Sequence, residues 1–301
     1  DNYKDGDGNI VHSEYFRKQG AIIATLTPNE ESAISLSADF GDGEAAYADR
    51  AMDGTKFQRE SYNLALEQAL GSHTLNLQGY YHYIDHVMDN FSLRPAMPNR
   101  YNISNPKREI IGTKAEIKLN FDTITTYIGG SYREDKHSSR MTQNAINATE
   151  ARNTLFSKNY NKNALISTSS VFTQSEYLSE DYGVFGGIRL DRVEIDKYLA
   201  GRFDRSKIQT PISGFMRYER YFDTLSLYAG VGRAERASDF WELQKVDGMS
   251  LKTEKNHQID LGTIYDNGNL SLSTNLFVSK IDDYIILNYN GATSSFNTDA
   301  L

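Results

Sequence analysis

Apolar and polar side chains alternate one for one along most of the chain. In residues 224–235, Leu225, Leu227, Ala229 and Val231 fall on one side of an extended backbone, and Ser226, Tyr228 and Gly230 on the other. In 269–288, Leu270, Leu272, Thr274, Leu276 and Val278 oppose Ser271, Ser273, Asn275 and Ser279. A period of two marks β-strands with two unlike faces. The pattern predicts strands over residues 13–26, 31–40, 57–70, 73–89, 108–121, 123–135, 165–178, 181–194, 210–222, 224–235, 254–265 and 269–288, about twelve in all. Many exceed the usual length of about five or six residues.

The connections are sorted by length. Short turns at 27–30, 71–72, 122, 179–180, 223 and 266–268 alternate with long loops at 41–56, 90–107, 136–164, 195–209 and 236–253. Short turns on one side and long loops on the other are the habit of antiparallel transmembrane β-barrels, whose apolar face meets lipid and whose polar face lines a lumen. A closed sheet satisfies every backbone group in hydrocarbon. A soluble antiparallel sandwich gives the same alternation, but nothing in it sorts the loops.

Composition agrees with an all-β chain. Tyr (20), Phe (14) and Gly (22) are abundant and Pro (5) is scarce among 301 residues, which suits pleated strands and tight turns. No cysteine is present, which removes disulfides and thiolate cages within these residues. A net charge of -8 without a clustered basic face argues against a nucleic-acid partner. No run of eighteen apolar residues forms a membrane helix, a test that barrel strands escape. The start, Asp1 to Asp5, lacks the basic and apolar regions of a signal peptide, and both ends read as cut from something longer.

The chemistry concentrates in Tyr80-Tyr81-His82-Tyr83-Ile84-Asp85-His86-Val87-Met88-Asp89-Asn90. Strand parity places His86 and Met88 on one face with Asn76, Gln78, Tyr80, His82 and Ile84, opposite Leu75, Leu77, Tyr81, Tyr83 and Val87. Imidazole and thioether together select soft metals, Cu(I) above all, over hard cations that want carboxylates. The bland reading makes both ordinary lumen residues. His82 reads first as a polar lumen residue and second as a supporting ligand. Met52, Met97, Met141 and Met249 fall in predicted loops, where all four read first as plain surface residues and second as a path passing a soft metal inward, with Met52 and Met97 as candidate secondary metal ligands. His137 and Met141 form a loose pair with nothing to orient it. Asp85, Asp89, Asp282 and Asp283 read as solvated strand ends. Asp5-Gly6-Asp7-Gly8-Asn9-Ile10 with Glu14 imitates a calcium loop, but Tyr3 stands at its first ligand position, so a strand-end loop is expected. No catalytic motif appears, so an enzyme is not expected.

Several blocks carry a resemblance: Glu44 to Gly54, Ser92 to Pro95, Tyr182 to Phe185, Ser213 to Arg220, Asp239 to Leu243, Glu254-Lys255 with Asp260 to Gly262, and Ile281 to Ile285. In this order they resemble the TonB-dependent copper receptors of the OprC/NosA type. The resemblance implies a 22-stranded barrel in a Gram-negative bacterial outer membrane, filled by an N-terminal plug and driven by the TonB complex. It also implies copper held by a Cys-x-x-x-Met pair of the plug and a His-x-Met pair of the barrel wall. His86-Val87-Met88 matches the second pair; the first has no counterpart here. Residues 1–301 are therefore expected to be part of a single barrel domain, without plug or closing strands. Copper transport is the leading expectation. A receptor for a siderophore or other metal chelate is the alternative, and a passive porin or soluble β-domain the second.

Overall fold

A computed structural model describes residues 2–288 and 294–300. Two short strands, β1 (Tyr3–Lys4) and β2 (Ile10–Val11), pair only with each other. Their turn is the calcium-like loop. Asp5 Oδ1 accepts from the N–H groups of Asp7 (3.0 Å) and Asn9 (2.8 Å), so its carboxylate closes the turn, as a strand-end loop requires.

Among the described residues, everything else of strand character forms one antiparallel sheet of fourteen strands. In chain order they are β3 (Tyr15–Asn29), β4 (Ser32–Ala45), β5 (Asp53–Leu70), β6 (His73–Asp89), β7 (Tyr101–Phe121), β8 (Ile124–Ala145), β9 (Asn161–Leu178) and β10 (Tyr182–Leu199). They continue as β11 (Arg202–Gln209), β12 (Ile212–Tyr221), β13 (Leu225–Arg236), β14 (Glu254–Asp266), β15 (Ser271–Asn288) and β16 (Ser294–Ala300). Each pairs with its neighbour in sequence, except that β10 pairs with β12 over Tyr182 to Leu190 and with β11 over Val193 to Leu199. The expected turns hold: Gly71, at φ 65°, closes the two-residue turn between β5 and β6, a conformation that costs glycine little.

The faces run opposite to those of a soluble domain. Val231, Ile259 and Val278 stand in one cross-strand row, each more than half exposed, beside the row of Ala229, Leu261 and Leu276. Ile111, Ile128, Val171, Ile188 and Met216 extend this apolar belt around the outer face. A contiguous apolar surface of this extent is stable against lipid, not water. The inner face carries Arg108, Arg133, Arg189 and Arg217, each paired with a carboxylate.

Two expected loops fold into regular structure. The 136–164 loop is instead the upper half of β8, a helix α1 (Ala148–Ser157) and the start of β9. Beyond the belt neither face of β8 is apolar, so Arg133 to Arg140 shows no alternation although it stays paired to β7. Asn147 caps α1 by accepting from the Glu150 N–H, and Ala151 and Leu155, one turn apart, are fully buried against Val87, Ile103 and Ala145. The 195–209 loop is likewise the β10–β11 hairpin. β16 also lies beyond the expected twelve.

Candidate metal site

His86 and Met88 stand at the upper end of β6, five and seven residues past Tyr81 in the outer belt, so roughly 16 Å or more along the strand beyond it. Their parity is that of the lumen face. Asp85, Val87 and Asp89 are buried on the opposite side, where Val87 packs under α1.

The partner strand shapes the pocket. β5 pairs Gly54 with Met88 and Lys56 with Val87, so Thr55 bulges out of the ladder. The Phe57 ring folds back over Gly54 and meets the His86 imidazole, with centroids 4.1 Å apart. Any Cβ on residue 54 would collide with that ring. His86 Nε2 is buried and, among the described residues, has no hydrogen-bond partner, an expensive state for a ring nitrogen unless something else occupies its lone pair or proton. Beside it opens a hollow of about 390 Å³ walled by Phe16, Asp42, Glu44, Phe57 and Ile84.

A polar network behind β6 holds this stretch of backbone. Asn105 donates to the His86 carbonyl (3.0 Å) and to Asp85 (2.5 Å), Lys56 donates to Asp85 (2.7 Å), and Tyr160 donates to Asn105 (2.6 Å). Asp85 is thus buried and paired rather than a solvated strand end. Asp89 is buried too, and accepts from the N–H groups of Phe91 and Ser92. Asp282 and Asp283 are held by Lys280, Lys252 and Lys255.

Above the site the long loops are tied by a knot that sequence reasoning missed. Asp53 is fully buried; Arg94 Nε donates to it (2.7 Å), as does the Tyr47 N–H (2.9 Å), and His12 Nε2 lies 3.2 Å away. Arg94 also donates to the carbonyls of Arg50 (2.6 Å) and Tyr47 (2.7 Å). Burial pushes the Asp53 carboxyl up, but hydrogen bonds from Arg94, Tyr47 and His12 outweigh it and bring it down to about 2. The only signal in the sequence was that Tyr47, Asp53 and Arg94 fall in two of the blocks that carry the resemblance.

The other candidates are dispersed. His82, four residues below His86, leans on Tyr80 at 5.2 Å, with Arg133, Arg108 and Arg59 nearby. Met52 is half-buried beside Asp53, and Met97 is exposed in the β6–β7 loop. Among the described residues no three His, Cys, Asp or Glu side chains converge as a metal cage. His137 and Met141, expected to be unoriented, both lie on β8 facing the lumen, opposite Arg108 and Ser104 of β7. His137 stacks flat on Phe240 at 3.9 Å, beneath the β13–β14 loop.

The model of the β-barrel of TonB-dependent receptor-like proteins matches residues 1–300. Among solved structures the chain is similar to the copper transporter OprC, at a TM-score of 0.90 and 29% identity, over 99% of this chain and 52% of that one. It also resembles the Serratia marcescens hemophore receptor HasR, solved with its hemophore HasA and heme, at a TM-score of 0.74 and 14% identity over 99% and 52% of the two chains. The ferric citrate transporter FecA follows at 0.71 and 14% identity, over 90% and 44%. The last two likenesses concern the fold alone. The chain spans about half the length of these structures, and no curated protein matches it.

Proposed function

Because the chain belongs to the TonB-dependent receptor β-barrel family and forms outer-membrane barrel wall, we propose that its receptor imports copper, bound at the lumen mouth by His86 and Met88. One observation carries the reading: a buried, unpartnered imidazole nitrogen on the lumen face, two residues from a thioether on the same face. Soft and borderline donors in that pairing favour Cu(I). The similarity to a copper transporter supports the same cargo.

Two donors leave copper under-coordinated, so the remaining ligands come from a plug outside residues 1–301. Residues 1–301 make up one part of a single barrel domain around that plug. Pull by the TonB complex on the plug then separates the two halves of the site and releases the ion inward. An anionic metal chelate fits less well, because Arg108, Arg133, Arg189 and Arg217 of the lumen already hold carboxylates.

The test is Cu(I) competition against a chelator with the full-length receptor in detergent. His86→Ala combined with Met88→Ala is expected to weaken binding by at least about 100-fold. Unchanged affinity in that variant overturns the reading.

A further inference from the structure

We propose that the outer face of β13, β14 and β15 binds the phosphorylated headgroup of an outer-leaflet glycolipid through Arg233, His257 and Lys280. The three side chains form a single cross-strand row: β13 pairs Arg233 with His257, and β14 pairs His257 with Lys280. This row lies two residues nearer the long loops than the apolar row of Val231, Ile259 and Val278, so strand parity gives it the same outward side. The face looks into the membrane, away from the lumen and whatever fills it.

The order of the rows matches the cross-section of a bilayer leaflet. Val231, Ile259 and Val278 suit acyl chains, and the basic row above them suits phosphates. Glu235, Lys255 and Asp282, of mixed charge, form the next row, at the height of sugars and water. Elsewhere in the wall the same height carries tyrosine. Tyr81 pairs with Ile111 and Tyr132 shares the parity of Ile128, so both face outward. They stand nine residues past Ser72 and Thr123, and Arg233 stands nine past Thr224. Aromatic side chains are the usual occupants of that level, so their replacement by three basic groups, in a chain of net charge -8, has its own cause.

The row has donors to spare. Arg233 is paired with Glu235 (2.6 Å), and Asp282 is shared by Lys280 (2.6 Å) and His257 (3.6 Å), both carboxylates belonging to the row above. A guanidinium carries five N–H donors and an ammonium three, and Arg233 Nε has no partner among the described residues. Gly214, opposite Arg233 on β12, adds no side chain to the row. From Arg233 to Lys280 the row spans two strand spacings, roughly 9.5 Å, which suits two phosphates on one headgroup better than the single phosphate of a phospholipid.

The test is native mass spectrometry of the full-length receptor in detergent, titrated with diphosphoryl lipid A. Arg233→Gln, His257→Gln and Lys280→Gln combined are expected to weaken binding by about tenfold or more. Lys107→Gln with Lys136→Gln, outward and above the belt on β7 and β8, is expected to stay within about twofold of wild type. Wild-type receptor is expected to bind dephosphorylated lipid A, and phosphatidylglycerol, at least about tenfold more weakly than the diphosphoryl form. An unchanged heat-modifiable gel shift marks the triple variant as a folded barrel. Wild-type lipid A affinity in that variant overturns the proposal. So does equal binding of the dephosphorylated lipid or of phosphatidylglycerol by the wild type, a comparison that needs no variant to fold.

Discussion

Asp53→Asn tests whether one buried carboxylate holds the loops around the site. The side chain is fully buried and its folded carboxyl lies at about 2 against an ordinary 3.8. At about 1.36 kcal/mol per pH unit, that difference corresponds to about 2.5 kcal/mol of stabilisation. Breaking a buried ion pair by removing one partner costs roughly 3–5 kcal/mol, so Asp53→Asn is expected to loosen the knot by about 2.5 kcal/mol or more. The cost is local, because β5 and β6 stay paired below the knot from Lys56 and Val87 downward. Since the folded carboxyl is depressed, the contribution is present in full above the ordinary value and is lost as pH falls from near 4 to near 2. Native-state hydrogen exchange reads this directly. The Tyr47 amide and the 46–52 and 90–100 loops are expected to exchange about 50-fold faster or more in Asp53→Asn, while belt strands keep wild-type protection. Wild-type receptor held near pH 2 is expected to lose the same protection, and Asp53→Asn to show no further change between pH 4 and 2. Wild-type protection of the Tyr47 amide in Asp53→Asn refutes the reasoning.

Two further substitutions probe the site and the belt. Gly54→Val displaces the Phe57 ring from His86 and is expected to weaken Cu(I) binding by about tenfold, the scale of a lost orienting contact, with the heat-modifiable gel shift of the folded barrel unchanged. Leu261→Arg puts a charge in the outward row with Ala229 and Leu276 and is expected to cost roughly 2–4 kcal/mol in urea titrations of receptor folded into lipid vesicles. Asp260→Asn, one residue away on the lumen face, serves as its near-neutral comparison.

The site joins a local feature to a non-local one. His86 and Met88 share a face because a strand alternates, and nothing outside β6 is needed for that. Their setting depends on β5, whose bulge at Thr55 and bare Gly54 let Phe57 lie against the imidazole. The network through Asn105 and Tyr160 then fixes the backbone from behind.

Within the apolar belt the sequence alone determined the structure. Lipid on one side and water on the other force a strict period of two, so β6 was legible from His73 to Asp89, as were the rows of Leu227 and Leu276 and the short turns between them. The placement of His86 and Met88 on the lumen face, above the belt, followed from the parity of the strand itself. Above the belt both faces meet water or other loops, the alternation lapses, and local pattern no longer reports pairing. Only the tertiary structure decided that Lys136 to Ala145 continues β8, that Ile195 to Gln209 forms a hairpin, and that Leu155 anchors a helix over Val87. The burial of Asp85, the Asp53–Arg94–His12 knot and the alignment of Arg233, His257 and Lys280 in one row belong to the same class. Each depends on which residues of distant strands and loops come opposite one another, and register is set by turns and bulges far along the chain.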